Sequence, residues 1–117
     1  MNKFSERRLK ENEVIFQQAN KGVADFVLED GGTPETVIKF YCECSDINCR
    51  RRISLKAAGY TKLHSSQRRF IAITGHETPE IEKIVSRHQG FNVIEKFGEI
   101  PSLKDIEVIL PEVAETV

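Results

Sequence analysis

Three cysteines crowd into eight positions of "FYCECSDINCRRRI", residues 40 to 53, and the chain has no others. Nothing else in the sequence constrains its fold as strongly. Three neighbouring thiols are either packed as inert groups, held on a metal or kept reactive. The start "MNKFSERRLK" has no apolar leader and no apolar run is long enough to cross a bilayer, so a cytoplasmic protein without a membrane partner is expected. In that reducing setting an odd number of cysteines argues against a disulfide framework.

A tetrahedral zinc site needs neighbouring sulfurs about 4 Å apart. "TVIKFYCEC" has the period of a strand, with Ile38, Phe40, Cys42 and Cys44 on one face and Val37, Lys39, Tyr41 and Glu43 on the other. Cys42 and Cys44 can therefore aim at one point, and the turn formers of "SDIN" can return Cys49 beside them. A fourth ligand must come from elsewhere. His76 ranks first, because it follows Gly75 at the end of a predicted strand, ahead of His64 in a polar loop and His88 near a predicted helix end. A Cys3His set fills all four positions with protein ligands, the mark of a structural zinc site. Three crowded thiols without a metal would pack poorly, and the spacing matches neither common ferredoxin pattern.

Catalytic signatures are missing. "HETPE" at 76 to 80 begins like H-E-x-x-H but has Glu80 in place of the second histidine. Neither half of the zinc deaminase pattern, no glycine-rich phosphate loop and no G-x-S-x-G occurs.

The rest of the chain suggests an α+β fold. Residues 5 to 29 carry an apolar stripe of Leu9, Phe16, Val23, Phe26 and Val27 at helical spacing, with "DGG" as a stop and Gly22 as a place for a kink. "RRISL" reads as a return strand, "SLKAAGYTKLHSS" as a short helix or turn, and "RRFIAITG" and "FNVIEKF" as further strands. "TPEIEKIVSRHQG" has Thr78 as a helix cap, Pro79 at the first helical position and Gly90 as a stop. The expected architecture is a long N-terminal helix packed on a small, mostly antiparallel sheet of about four strands, with a zinc knuckle and a short C-terminal helix. Residues 1–97 would form this single domain and 98–117 an acidic tail, loosely ordered or packed against the sheet.

Apolar residues make up 39% of the 117 and charged residues 30%, an ordinary balance for one folded domain. The net charge of −1 conceals a division: from Ile47 to His76 there is no acid, against Arg50, Arg51, Arg52, Lys56, Lys62, Arg68 and Arg69. A non-enzymatic binding or regulatory module follows, its partner a protein or a second copy joined through the N-terminal helix. One alternative is a nucleic-acid-binding zinc module that uses Arg50, Arg51, Arg52, Lys56, Arg68 and Arg69, although a sequence pI near 6.3 works against it. Another is a thiol/zinc redox sensor that releases its metal when the cysteines are oxidised.

"ERRLKENEVIFQQAN", "FYCECSDINC", "RRFIAITGHETPEIEKIV" and "FNVIEKF" together resemble a group of small, uncharacterised bacterial proteins frequent in actinobacteria. Those proteins have an N-terminal helix with R-x-x-E-N-E-x-x-F, a C-E-C-x4-C knuckle and a G-H after a strand. The similarity covers residues 5 to about 97 and implies Cys42, Cys44, Cys49 and His76 as the ligand set. This chain departs from the pattern at Gly59, where the group has an acid, and at Thr74, where it has proline. The resemblance implies a motif and no activity.

Overall fold

The computed structural model describes residues 3–102. The chain opens with helix α1 (Lys3–Glu29), which runs unbroken through Gly22. It stops where the sequence predicts. Gly31 takes the left-handed conformation (φ 88°), and the Gly32 N–H reaches back to the Val27 carbonyl at 2.8 Å, the closing bond of a Schellman cap.

Five strands and a second helix follow: β1 (Val37–Tyr41), β2 (Arg52–Lys56), α2 (Ala57–Leu63), β3 (Arg69–Ile73), β4 (Glu82–Arg87) and β5 (Phe91–Lys96). β1 and β2 make the predicted antiparallel hairpin, with Phe40 opposite Ile53. The other three form a second antiparallel sheet in the order β3-β5-β4. In place of one sheet of about four strands, the described residues form five strands in two sheets. Phe40, Ile53, Ala57 and Tyr60 from one half pack with Phe70, Ile71, Val93 and Ile94 from the other into one core.

The helix expected after His76 is a strand. Thr78 and Pro79 do open a turn, closed by the Ile81 N–H on the Thr78 carbonyl at 3.0 Å, but proline at the second position serves a β-turn as well as a helix start. The chain then pairs with β5, with a bulge between Ile84 and Ser86. "HQG" is the β4–β5 connection: the His88 N–H bonds to the Phe91 carbonyl and Gly90 takes φ 85°. The β-branched pair Ile84–Val85 was the available strand signal.

The buried side of α1 also differs from the apolar stripe. Val14, Phe16 and Ala24 are buried beside Glu13, Gln17 and Asn20, while Val23 and Phe26 are exposed, Phe26 by 66%. Hydrogen bonds dock this polar face. The Gln17 amide donates to the carbonyls of Arg69 and Gln67, Asn20 brackets the Tyr41 backbone, and Asn12 donates to the Ser45 carbonyl.

The start of the expected tail belongs to the fold. Lys10 Nζ donates to the Phe97 and Glu99 carbonyls, Arg68 donates to the Gly98 carbonyl, and Ile100 packs on the core. The remainder of the acidic tail, 103 to 117, lies outside the described residues.

Candidate metal centre

The knuckle lies where the two sheets meet. The Cys42 N–H still bonds towards β2, to the Arg51 carbonyl at 3.1 Å, whereas the Glu43 N–H has crossed to β3 and bonds to the Ile71 carbonyl at 2.7 Å. The strand ends at Tyr41, so residues 42 to 44 form a bridge and not the end of a ladder. Cys42, Cys44 and Cys49 are all buried. The "SDIN" turn acts as the sequence suggests: Asp46 Oδ1 accepts the Asn48 N–H, and the Cys49 N–H returns to the Asp46 carbonyl at 2.9 Å.

His76 enters from the end of β3. Its N–H closes a four-residue turn on the Ile73 carbonyl at 2.8 Å, with Gly75 at φ 95° in the third place. That position requires a positive φ, which explains the glycine before the histidine. The Gly75 N–H is further tied to Glu77 Oε2 at 2.9 Å, and Ser45 and Thr78 join the two ligand loops through a 2.8 Å hydroxyl contact.

The four potential ligand atoms all lie within 4.8 Å of one another. His76 Nδ1 is 3.6 Å from Cys42 Sγ and 3.7 Å from Cys49 Sγ. A tetrahedron with metal–sulfur bonds near 2.3 Å and a metal–nitrogen bond near 2.05 Å has sulfur–nitrogen edges of about 3.6 Å. Two of the cluster's six edges thus match a metal tetrahedron, and these four residues could hold a metal ion.

Its electrostatics point the same way. Cys44 is pushed down to about 5, chiefly by the hydrogen bond from Cys42, whose own thiol is pushed up by that contact and by burial. Burial also raises Cys49. Without a cation the trio favours one thiolate stabilised by its neighbours, and a divalent cation would allow the remaining protons to leave. The Ile73 N–H donates to Cys42 Sγ at 3.2 Å, favouring its charged form.

The other two histidines are elsewhere. His64 faces Glu43 Oε1 and the Tyr60 carbonyl, and His88 stacks on Phe91 with Nε2 against Ser86.

The basic residues are spread over the knuckle and both sheets. Arg50 donates to the Ile47 and Cys49 carbonyls and Arg52 lies over the Tyr41 ring, while Arg51 is exposed. Lys56 pairs with Glu35 on the first sheet. On the second, Arg68 is bound to the Lys96 and Gly98 carbonyls and Arg69 approaches Glu95.

The residue that sequence reasoning missed is Glu43. It was expected to face outward opposite the cysteines, but its side chain has no exposure. A carboxylate enclosed by two cysteines that face the core was its only local signal.

Comparison of the chain with protein-family models, curated proteins and solved structures gives no match. No helix among the described residues is long and apolar enough to cross a membrane.

Proposed function

We propose that this chain is a small zinc-binding module whose Cys42, Cys44, Cys49 and His76 form a closed structural site. The carrying observation is the match between the His76 Nδ1 separations from Cys42 and Cys49 and the edge of a zinc–thiolate–imidazole tetrahedron. Thiolate-rich sites favour zinc over hard cations, and four protein ligands leave no position for a reacting water. Three ligands lie at the junction of the two sheets and the fourth ends β3, so the metal would act as a staple in a small core. The resemblance of residues 5 to 97 to C-E-C-x4-C proteins supports the same ligand set. The role is binding or regulation in the cytoplasm.

Elemental mass spectrometry on protein purified without a histidine tag or added metal tests the reading. About one zinc per chain, lost or weakened in His76→Ala, is the expected result. A metal-free wild-type protein that remains folded overturns it.

The β1–β2 hairpin favours a second reading, in which the module binds an anionic partner such as nucleic acid. Its outer face pairs Val37 with Lys56, Lys39 with Ser54 and Tyr41 with Arg52, and none of these six is acidic. Oligonucleotide binding that weakens steeply with salt, and is lost on replacing Lys39 and Arg52, is the expected outcome for this reading.

A further inference from the structure

Glu43 stands between two of the zinc ligands and is closed off from solvent. Its carboxylate sits among three donors and an imidazole nitrogen. Asn20 Nδ2 (2.9 Å) and the Tyr60 hydroxyl (2.5 Å) reach Oε2, and the Ile71 N–H (2.9 Å) and His64 Nε2 (2.7 Å) reach Oε1. His64 is itself fixed, because Nδ1 is 2.8 Å from the Tyr60 carbonyl and its ring stacks on that of Tyr60. The Glu43 main chain grips the same strand, its N–H donating to the Ile71 carbonyl at 2.7 Å. Residue 43 is therefore clamped to Ile71 through both backbone and side chain.

The consequence for the metal is geometric. In extended chain, residues i−1 and i+1 point together, away from residue i. Holding Glu43 towards Tyr60 and His64 turns Cys42 and Cys44 together to the opposite side. Beyond Tyr41 no regular β1–β2 pairing holds this segment, so its direction depends on such individual bonds. Resting on the zinc reading above, we infer that Glu43 is a positioning residue of the metal centre: its carboxylate, gripped by Asn20, Tyr60, His64 and the Ile71 N–H, aims the Cys42 and Cys44 thiolates at one cation. Outer partners of metal ligands characteristically govern affinity by about 10- to 100-fold.

Cobalt(II) provides the test, since its thiolate charge-transfer and ligand-field bands report ligand number and geometry. The wild type, Glu43→Gln, Tyr60→Phe and a control, Ile94→Val, which trims the core opposite Phe70 and removes no bond to Glu43, are loaded with cobalt. Band shape and the rate of cobalt loss to excess chelator are then recorded. Glu43→Gln should lose cobalt roughly 10- to 100-fold faster with altered bands. Tyr60→Phe, which keeps the ring stacked on Phe40 and removes only the hydroxyl, should lose it several-fold faster, and Ile94→Val should match the wild type. Wild-type bands and release rates in both clamp variants, even with lowered melting temperatures, would make Glu43 merely structural and overturn the inference. Should Glu43→Gln not fold, Tyr60→Phe decides alone. A wild-type chain that takes up no cobalt overturns the zinc reading itself, a result distinct from either.

Discussion

Lys96 on β5 places its ammonium against the Glu13 carboxylate of α1, and neither side chain has any exposure to solvent. Glu82 of β4 stands 3.4 Å from the same Nζ, and the ammonium lies over the Phe70 ring. Burial drives Lys96 down to about 6, and Lys10 adds to the effect. Because a lone buried charge is unfavourable, each of Lys96 and Glu13 depends on the other as its partner. Lys96→Met should accordingly destabilise the fold by about 3–5 kcal/mol, and Lys96→Met with Glu13→Leu by clearly less than the sum of the two single changes. Urea unfolding of the single and double variants measures both.

Burial of Glu82 sets the sign of a pH dependence in the fold. Burial raises its carboxyl from 4.5 to about 7, with Glu77 adding to the shift and the Thr78 N–H opposing it. Between those values the folded chain holds a proton that the unfolded chain releases. Stability contributed by Glu82 is therefore greatest below about pH 4.5 and is lost as pH rises towards 7. Glu82→Gln should flatten that slope. Chemical denaturation of the wild type and variant at half-unit pH intervals would show it; equal slopes would place the proton elsewhere.

Metal removal should loosen the junction of the sheets. Cys44→Ser, or chelation of the wild type, is expected to cost on the order of several kcal/mol, because a metal bound only by the folded chain contributes its binding energy to folding. Thermal unfolding with and without chelator is the measurement. The wild type should lose its advantage over Cys44→Ser when the metal is withdrawn.

The close of α1 is a steric test. A Cβ on Gly32 would stand 2.5 Å from the Val27 carbonyl oxygen, and backbone cannot easily withdraw. Gly32→Ala should cost roughly 1–3 kcal/mol by overpacking. Gly22→Ala, where nothing lies within 4 Å of the added carbon, should instead stabilise the helix by up to about 1 kcal/mol. Melting temperatures moving in opposite directions would bear this out.

What the sequence disclosed followed from local rules. The paired spacing of Cys42 and Cys44, the "SDIN" turn and the glycine before His76 each encode a geometry completed within a few residues, and the structure brings the four expected ligand residues together. α1, the β1–β2 hairpin, β3 and β5 were legible for the same reason. β4 was not, because threonine, proline and a later glycine punctuate a turn-strand-turn unit as readily as a helix, and pairing with β5 decided between them. Nor was the docking face of α1. A periodicity count sees apolar residues, whereas Glu13, Gln17 and Asn20 are buried because of Lys96, Arg69 and Glu43, partners far along the chain.

The bond from Lys10 to the Phe97 carbonyl spans 87 residues, and the Glu13–Lys96 pair lies just inside it. During synthesis at 5–20 residues per second, about 4–17 s pass before this helix meets the strand that neutralises it. Through that interval Glu13 has no ammonium to rest on, so the growing chain must keep this flank of α1 wet. β5, the last strand among the described residues, is the latch on this flank of α1.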